Sequence, residues 1–138
     1  MNEDFAKWDE AYSVGFPVID DQHKKLVIMI NDLFQLDKEK SIDTKAAFSK
    51  AFRDAGNYAQ NHFNEEEVLL EKAGYPYLLE HKEEHITFIN EVWNQFSFFN
   101  KGEISPVDLA RFLKKWLLTH IAVVDKKYVP YLGKIDID

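Results

Sequence analysis

The sequence predicts an all-α protein, an antiparallel up-down four-helix bundle with an N-terminal arm. Three observations predict it. Apolar residues recur at three- and four-residue spacing through four long stretches, the period of a helix with one buried face. Only five glycines and four prolines punctuate 138 residues, and most of them fall at the edges of those stretches. The connections are short, which sets consecutive helices side by side and antiparallel.

Residues 1–19, with Phe5, Trp8, Tyr12 and Phe16, are read as an arm packed across the bundle, and residues 1–138 as one domain. The first helix is placed at about 20–37, with Pro17 upstream and Asp20 capping its open amides. Leu26, Val27, Ile30, Leu33 and Phe34 form its apolar face, and His23 shares that face. A polar connection from Asp37 to Ser41 leads to the second helix at about 43–73. There Phe48, Ala51, Phe52, Ala55, Ala59, His62, Phe63 and Glu66 keep the helical period, and Gly74 ends it. Pro76 suits the first turn of the third helix, at about 76–100. Its face carries Leu78, His81, His85, Phe88, Ile89, Val92, Phe96 and Phe99. After the break at Lys101-Gly102, Ser105-Pro106-Val107-Asp108 opens the fourth helix, at about 105–129. That start combines a capping hydroxyl, a proline in the first turn and a carboxylate at the positive helix end. Phe112, Leu113, Trp116, Leu117, His120, Ile121 and Val124 are its buried side, and Pro130 is read as its stop.

Composition narrows the function. Hydrophobic residues at 46% and charged residues at 30% describe a globular chain, neither disordered nor membrane-embedded. A net charge of -7 repels nucleic-acid phosphates and anionic lipid surfaces, so neither is expected as a partner. The absence of cysteine removes disulfides, thiolate nucleophiles and sulfur-ligated metal sites. No apolar run approaches the ~18 residues of a membrane span. Met1 to Phe5 lack the basic start of a secretory signal, so a cytoplasmic location is expected.

All five histidines fall on apolar helix faces. A single one reads as a hydrogen-bonded core histidine; five buried together need partners, and a bundle core offers one another or a metal. His81 and His85 are four apart, one turn along one face, and His62 and Glu66 repeat that spacing. Neighbouring Glu65 and Glu67 are out of that register and are read as solvated. His120 and Asp125 are five apart, which a regular helix separates by about 140°. Either a widened turn near Ile121–Val124 or a long reach by the aspartate is therefore expected. Five imidazoles and two carboxylates exceed what one first-row ion takes and suit a bridged pair. Iron, zinc, copper and manganese all accept such nitrogen and oxygen donors. A ferritin-like centre needs Glu-x-x-His pairs, and the residues three before the histidines are Asp20, Ala59, Leu78, Lys82 and Leu117.

These residues resemble the hemerythrin family, and its single-domain bacterial type, over nearly the whole chain. The matching segments are Trp8 to Gly15, Ile19-Asp20-Asp21-Gln22-His23, His62-Phe63-Asn64-Glu65-Glu66-Glu67, Gly74-Tyr75-Pro76, His81-Lys82-Glu83-Glu84-His85 and Trp116 to Ile121, followed by Asp125 and Tyr128. The resemblance implies a non-haem di-iron centre, its ions cycling between Fe2+ and Fe3+ under an oxo or hydroxo bridge. It implies His81, His85 and His120 on one iron, His23 and His62 on the other, and Glu66 and Asp125 bridging both. One coordination position then stays open on a single iron. It further implies that Phe63, Trp116, Leu117 and Ile121 line the ligand pocket, although ordinary core packing explains them equally well. Tyr128 is read either as a partner of the ligands or as helix-end packing.

The function this implies is reversible dioxygen binding for storage, transport or delivery, without enzymatic turnover. Nitric oxide and small anions such as azide are the further ligands of the open position, and the protein is expected as a monomer or weak homo-oligomer. The alternatives are an oxygen or nitric oxide sensing module and a di-iron oxidase. Every histidine is used as a ligand, which leaves no imidazole for acid–base work and counts against the oxidase.

Overall fold

The computed structural model describes residues 6–39 and 44–132. Its long helices are α1 (Pro17–Glu39), α2 (Thr44–Ala73), α3 (Leu78–Asn100) and α4 (Pro106–Thr119). A π-helical turn (His120–Val124), a 3-10 turn (Asp125–Tyr128) and a last short helix, α5 (Val129–Leu132), continue α4. No strand occurs among the described residues, and none of their helices is long and apolar enough to cross a membrane.

The up-down order can be read from two apolar clusters with a polar layer between them. The larger holds Leu26 and Ile30 of α1, Ala59 and Phe63 of α2, Phe88 and Val92 of α3, and Leu113 and Leu117 of α4. The smaller holds Val14, Ile19, Leu70, Tyr75, Tyr128 and Leu132. Along α1 the chain passes from the small cluster through the polar layer to the large one; α2 runs back, α3 returns, and α4 with its continuation runs back again. Each helix contributes two apolar segments and, between them, histidine or carboxylate.

Helix ends follow local chemistry. After α2, Gly74 takes a positive φ of 69°, Tyr75 N–H bonds Leu70 C=O at 3.1 Å and Gly74 N–H bonds Glu71 C=O at 3.1 Å. That is a Schellman stop, completed by apolar contact between Tyr75 and Leu70 in the small cluster. Gly102 stops α3 in the same way, with Glu103 N–H on Phe98 C=O at 2.9 Å. Ser105 and Asp108 form a capping box on α4, with Pro106 in the first turn.

Four boundaries differ from expectation. The first helix begins at Pro17, whose fixed φ suits a helix start, and runs on to Glu39. Asp20 is therefore not the cap: it sits in the first turn, where its carboxylate accepts from the Ser13 hydroxyl and, at 2.8 Å, from Val14 N–H. It fastens arm to helix. The third helix starts at Leu78, with Pro76 in the turn before it. Pro130 does not stop the chain's helical course, because it occupies the first turn of α5, where a missing N–H costs nothing. Phe5 and the expected start at 43 lie outside the described residues. The rest of the arm is held by Ala6, buried and paired with the Asn31 amide through both its N–H and its C=O, at 2.7 and 2.8 Å.

Candidate metal centre

His23, His62, Glu66, His81, His85, His120 and Asp125 are buried, and they make up the buried polar and charged side chains of the described residues, tyrosine aside. α1 supplies His23, α2 His62 and Glu66, α3 His81 and His85, the π-turn that follows α4 supplies His120, and the 3-10 turn after it Asp125. The four-residue spacings work as expected. His62 Nε2 lies 3.4 Å from Glu66 Oε2, and the His81 and His85 rings sit 4.5 Å apart.

The five-residue spacing is solved by the backbone. Asp125 N–H bonds His120 C=O, a π-type bond that widens one turn over His120–Val124. The turn brings Asp125 back under His120, with Oδ1 3.0 Å from His120 Nε2. Of the two expected alternatives, the widened turn is the one that forms.

Each carboxylate is divided between two sets of imidazoles. Glu66 Oε1 lies 2.7 Å from His81 Nε2 and 3.1 Å from His85 Nε2, whereas Oε2 lies 3.4 Å from His62 Nε2 and 3.7 Å from His23 Nε2. Asp125 Oδ1 lies 3.3 Å from His81 Nε2 and 3.0 Å from His120 Nε2, and Oδ2 lies 3.2 Å from His23 Nε2. Two donor groups result, Glu66-His81-His85-His120 and His23-His62-Glu66, each with its ligating atoms within 4.8 Å of one another.

These groups fit cations better than they fit each other. His85 Nε2, His120 Nε2 and both Asp125 oxygens are buried without a hydrogen-bond partner, although carboxylate and imidazole approach closely. Leaving such atoms unsatisfied costs roughly 1–3 kcal/mol each, and a shared positive ion removes that cost. His23 Nδ1, on the outer edge of its ring, is likewise unpartnered. Without metal the cluster must hold protons instead. Burial lowers the His23 pKa, but the Asp125 and Glu66 carboxylates outweigh it and raise it to about 9. His81, under the same opposed influences, is raised to about 10. Burial pushes Glu66 and Asp125 up while the surrounding imidazoles push them down, and both end well below the usual carboxylate range.

Partners behind the imidazoles fix ring orientation. His62 Nδ1 faces Gln22 Oε1 at 2.6 Å, and the Gln22 amide in turn donates to Glu65. His85 Nδ1 faces Glu67 Oε2 at 2.8 Å. With Nδ1–H given away, each Nε2 lone pair is turned inward. Glu65 and Glu67 were expected to be solvated only; Glu65 is exposed yet holds Gln22, and Glu67 is half-buried against His85. The Tyr128 hydroxyl donates to Glu66 Oε2 at 3.1 Å, with its ring fully buried. Tyr128 is thus a partner of the cluster. Gln22 and Glu67 carried a faint signal, each being adjacent in sequence to a cluster residue and one turn or less from solvent.

Of the expected pocket residues, Phe63 stacks on the His85 ring at 3.9 Å and 9°. Trp116, half-buried, stacks on His120 at 4.4 Å and 14°. Phe63, Trp116 and Leu117 line an apolar cavity of about 20 Å³, together with Leu26, Ile30 and Ala59. Leu26 and Ala59 are each three residues from His23 and His62, so the cavity lies beneath that pair. Ile121 is fully buried but does not line it.

The family model described as Hemerythrin HHE cation binding domain matches residues 14–132. A bacteriohemerythrin of Pseudomonas aeruginosa (strain LESB58) is 36% identical over 122 residues, covering 88% of this chain and 78% of that protein. The hemerythrin of Phascolopsis gouldii is 31% identical over 121 residues, 88% of each chain. The crystal structure of a wild-type hemerythrin superposes with a TM-score of 0.80 at 30% identity, covering 94% of this chain and 98% of that one. Sequence, fold and the arrangement of buried donors agree: this chain belongs to the hemerythrin family.

Proposed function

We propose that the cluster holds two iron ions and binds dioxygen reversibly, for storage, transport or delivery. The division of both carboxylates between two sets of imidazoles carries this reading, because it sets up two neighbouring cation positions rather than one. His81, His85 and His120 would hold one ion, His23 and His62 the other, with Glu66 and Asp125 bridging and an oxo or hydroxo group as third bridge. One position at the two-histidine ion then stays free. Iron held there would supply the reversible electron transfer that dioxygen binding needs.

The chain's own residues make the binding reversible. Glu66 and Asp125 bring two negative charges that offset the ions in a medium where uncompensated charge is costly. The Tyr128 hydroxyl holds Glu66 Oε2 in place, so the bridging geometry is set before any ligand arrives. Phe63, Trp116 and Leu117 keep the cavity beneath His23 and His62 apolar and small, with room for about one water-sized molecule. A neutral diatomic gas enters such a space at little cost; water and charged reductants do not. Nitric oxide and azide are further ligands of the same position. Binding proceeds without turnover, since all five histidines converge on the cluster and none is left to move protons for a substrate.

Oxygen titration of the anaerobically reduced, iron-loaded protein tests the reading. A charge-transfer band should grow to one dioxygen per two irons and vanish under inert gas. Continuous oxygen consumption in the presence of a reductant would make the protein an oxidase instead. An iron-loaded protein with no spectral response to oxygen would overturn the proposal.

A further inference from the structure

Trp116 separates two spaces. One is the apolar cavity; the other is an open groove of about 730 Å³ between α3 and α4. The groove is lined by Trp116 and Phe112, by Lys115, and on the α3 side by Glu80, Glu83 and Glu84. His120 also lines it, though only 4% exposed, with Nδ1 3.8 Å from Glu84 Oε2 and Nε2 turned inward to Asp125. One buried imidazole therefore touches the cluster on its inner edge and reaches the groove on its outer edge. The indole stacked on it at 4.4 Å extends that contact outward as a continuous aromatic pair.

We propose that this groove is where electrons enter the di-iron centre, and that its partner is a one-electron redox protein with a basic rim around its exposed redox group. The inference rests on the iron reading above. An oxygen-binding iron pair that has lapsed to the ferric form must be reduced again, and the apolar cavity admits no charged donor. The groove does. Electron transfer falls off steeply with the gap between donor and acceptor, and a donor seated against Trp116 is separated from the cluster by two stacked rings. Three carboxylates against one lysine give the rim a negative balance, on a chain whose net charge is already -7. Opposite charge raises the encounter rate with a basic partner and repels an acidic one. Each encounter moves one electron: the donor leaves oxidised by one electron, one ferric ion becomes ferrous, and a second encounter reduces the other. No bond in the chain forms or breaks.

The test is anaerobic stopped-flow reduction of the ferric, iron-loaded protein by hexaammineruthenium(II), a cationic one-electron donor, across a range of salt. The wild-type rate should fall as salt rises. The Glu80→Gln/Glu83→Gln double variant should reduce about tenfold more slowly at low salt and lose most of that salt dependence. Asp32→Asn/Glu71→Gln changes the net charge equally on exposed positions of α1 and α2, and should stay within about twofold of wild type. Trp116→Leu should reduce slowly at every salt concentration when rates are compared per bound iron pair, and Trp116→Phe should recover part of the rate. Equal slowing by the two charge variants, or wild-type rates in both Trp116 variants, overturns the proposal. A protein that takes up no iron gives no ferric band to follow, and that result strikes the di-iron reading instead.

Discussion

His23 and His81 meet Glu66 and Asp125 inside the bundle, and that contact decides how the metal-free site depends on pH. Burial alone would strip the imidazoles of their protons, but the two carboxylates hold the protons on, raising His23 to about 9 and His81 to about 10. A raised folded pKa stabilises the fold fully below the ordinary histidine value and is lost as pH climbs through the raised one. The lowered carboxylates work from the other side, stabilising above their ordinary range and failing on acidification. The metal-free protein should thus be most stable from about pH 5 to about 6.5, losing stability on acidification below that window and progressively as pH climbs towards 9 and 10 above it. Two metal ions, one at each donor group, must displace those two protons, one apiece. Cobalt(II) titrations at about pH 6, 7 and 8 should show the apparent affinity of each position rising up to about tenfold per pH unit, and a flat profile would mean the histidines are neutral without metal. The pairs His62–Glu66 and His81–His85 were legible because intrahelical neighbours are fixed by period, His23 and His120 from their apolar helix faces, and Asp125 from the family pattern. The Gln22, Glu67 and Tyr128 contacts were not, because each joins side chains whose meeting depends on how helices pack.

At the scale of elements, the π-turn is what lets the end of the last helix bring two side chains into the cluster. Five residues complete a turn there, so His120 and Asp125 face the same cluster despite a spacing a regular helix would splay. Ala122, exposed within that turn, is the residue to remove. Its deletion leaves histidine and aspartate four apart, the spacing an ordinary α-turn already places on one face. The deletion variant should therefore keep two metal ions per chain and melt no lower than wild type, measured by metal analysis and calorimetry. Inserting one alanine after Ala122 should instead swing Asp125 out of the cluster and halve the metal content. Metal loss in the deletion variant would show that the wide turn is needed for more than register. The awkward spacing was visible in the sequence, but the choice between wide turn and long reach required the backbone. Helix ends divide the same way. Gly74, Gly102 and the Ser105–Asp108 box act within a few residues and were legible, whereas Asp20 looked like a cap because its true partners, Ser13 and Val14, lie in the arm.

Across the whole molecule, two apolar clusters grip a layer of seven ionisable side chains, whose mutual attraction without metal repays only part of the cost of burying them. Buried charges taken from water are at best offset by one another, and here four inward-facing atoms have no hydrogen-bond partner at all. Filling the layer with cations removes that deficit, and binding to the folded state alone adds about 4 kcal/mol when free metal stands at a thousand times the dissociation constant. For a chain of this length that corresponds to a rise of very roughly 10–20 °C in Tm. Stripping the metal with a chelator should therefore lower Tm by that order in a calorimetric scan. Two substitutions separate the layer from the rest of the core. Phe48→Leu, fully buried in the large cluster, should lower the metal-free and metal-loaded proteins by similar amounts and leave their difference intact. Glu66→Gln removes the negative charge that both donor groups share, so it should abolish most of the difference while the metal-free protein still folds. A metal-independent Tm in the unsubstituted chain would mean that the apolar clusters alone set its stability and the polar layer is already satisfied.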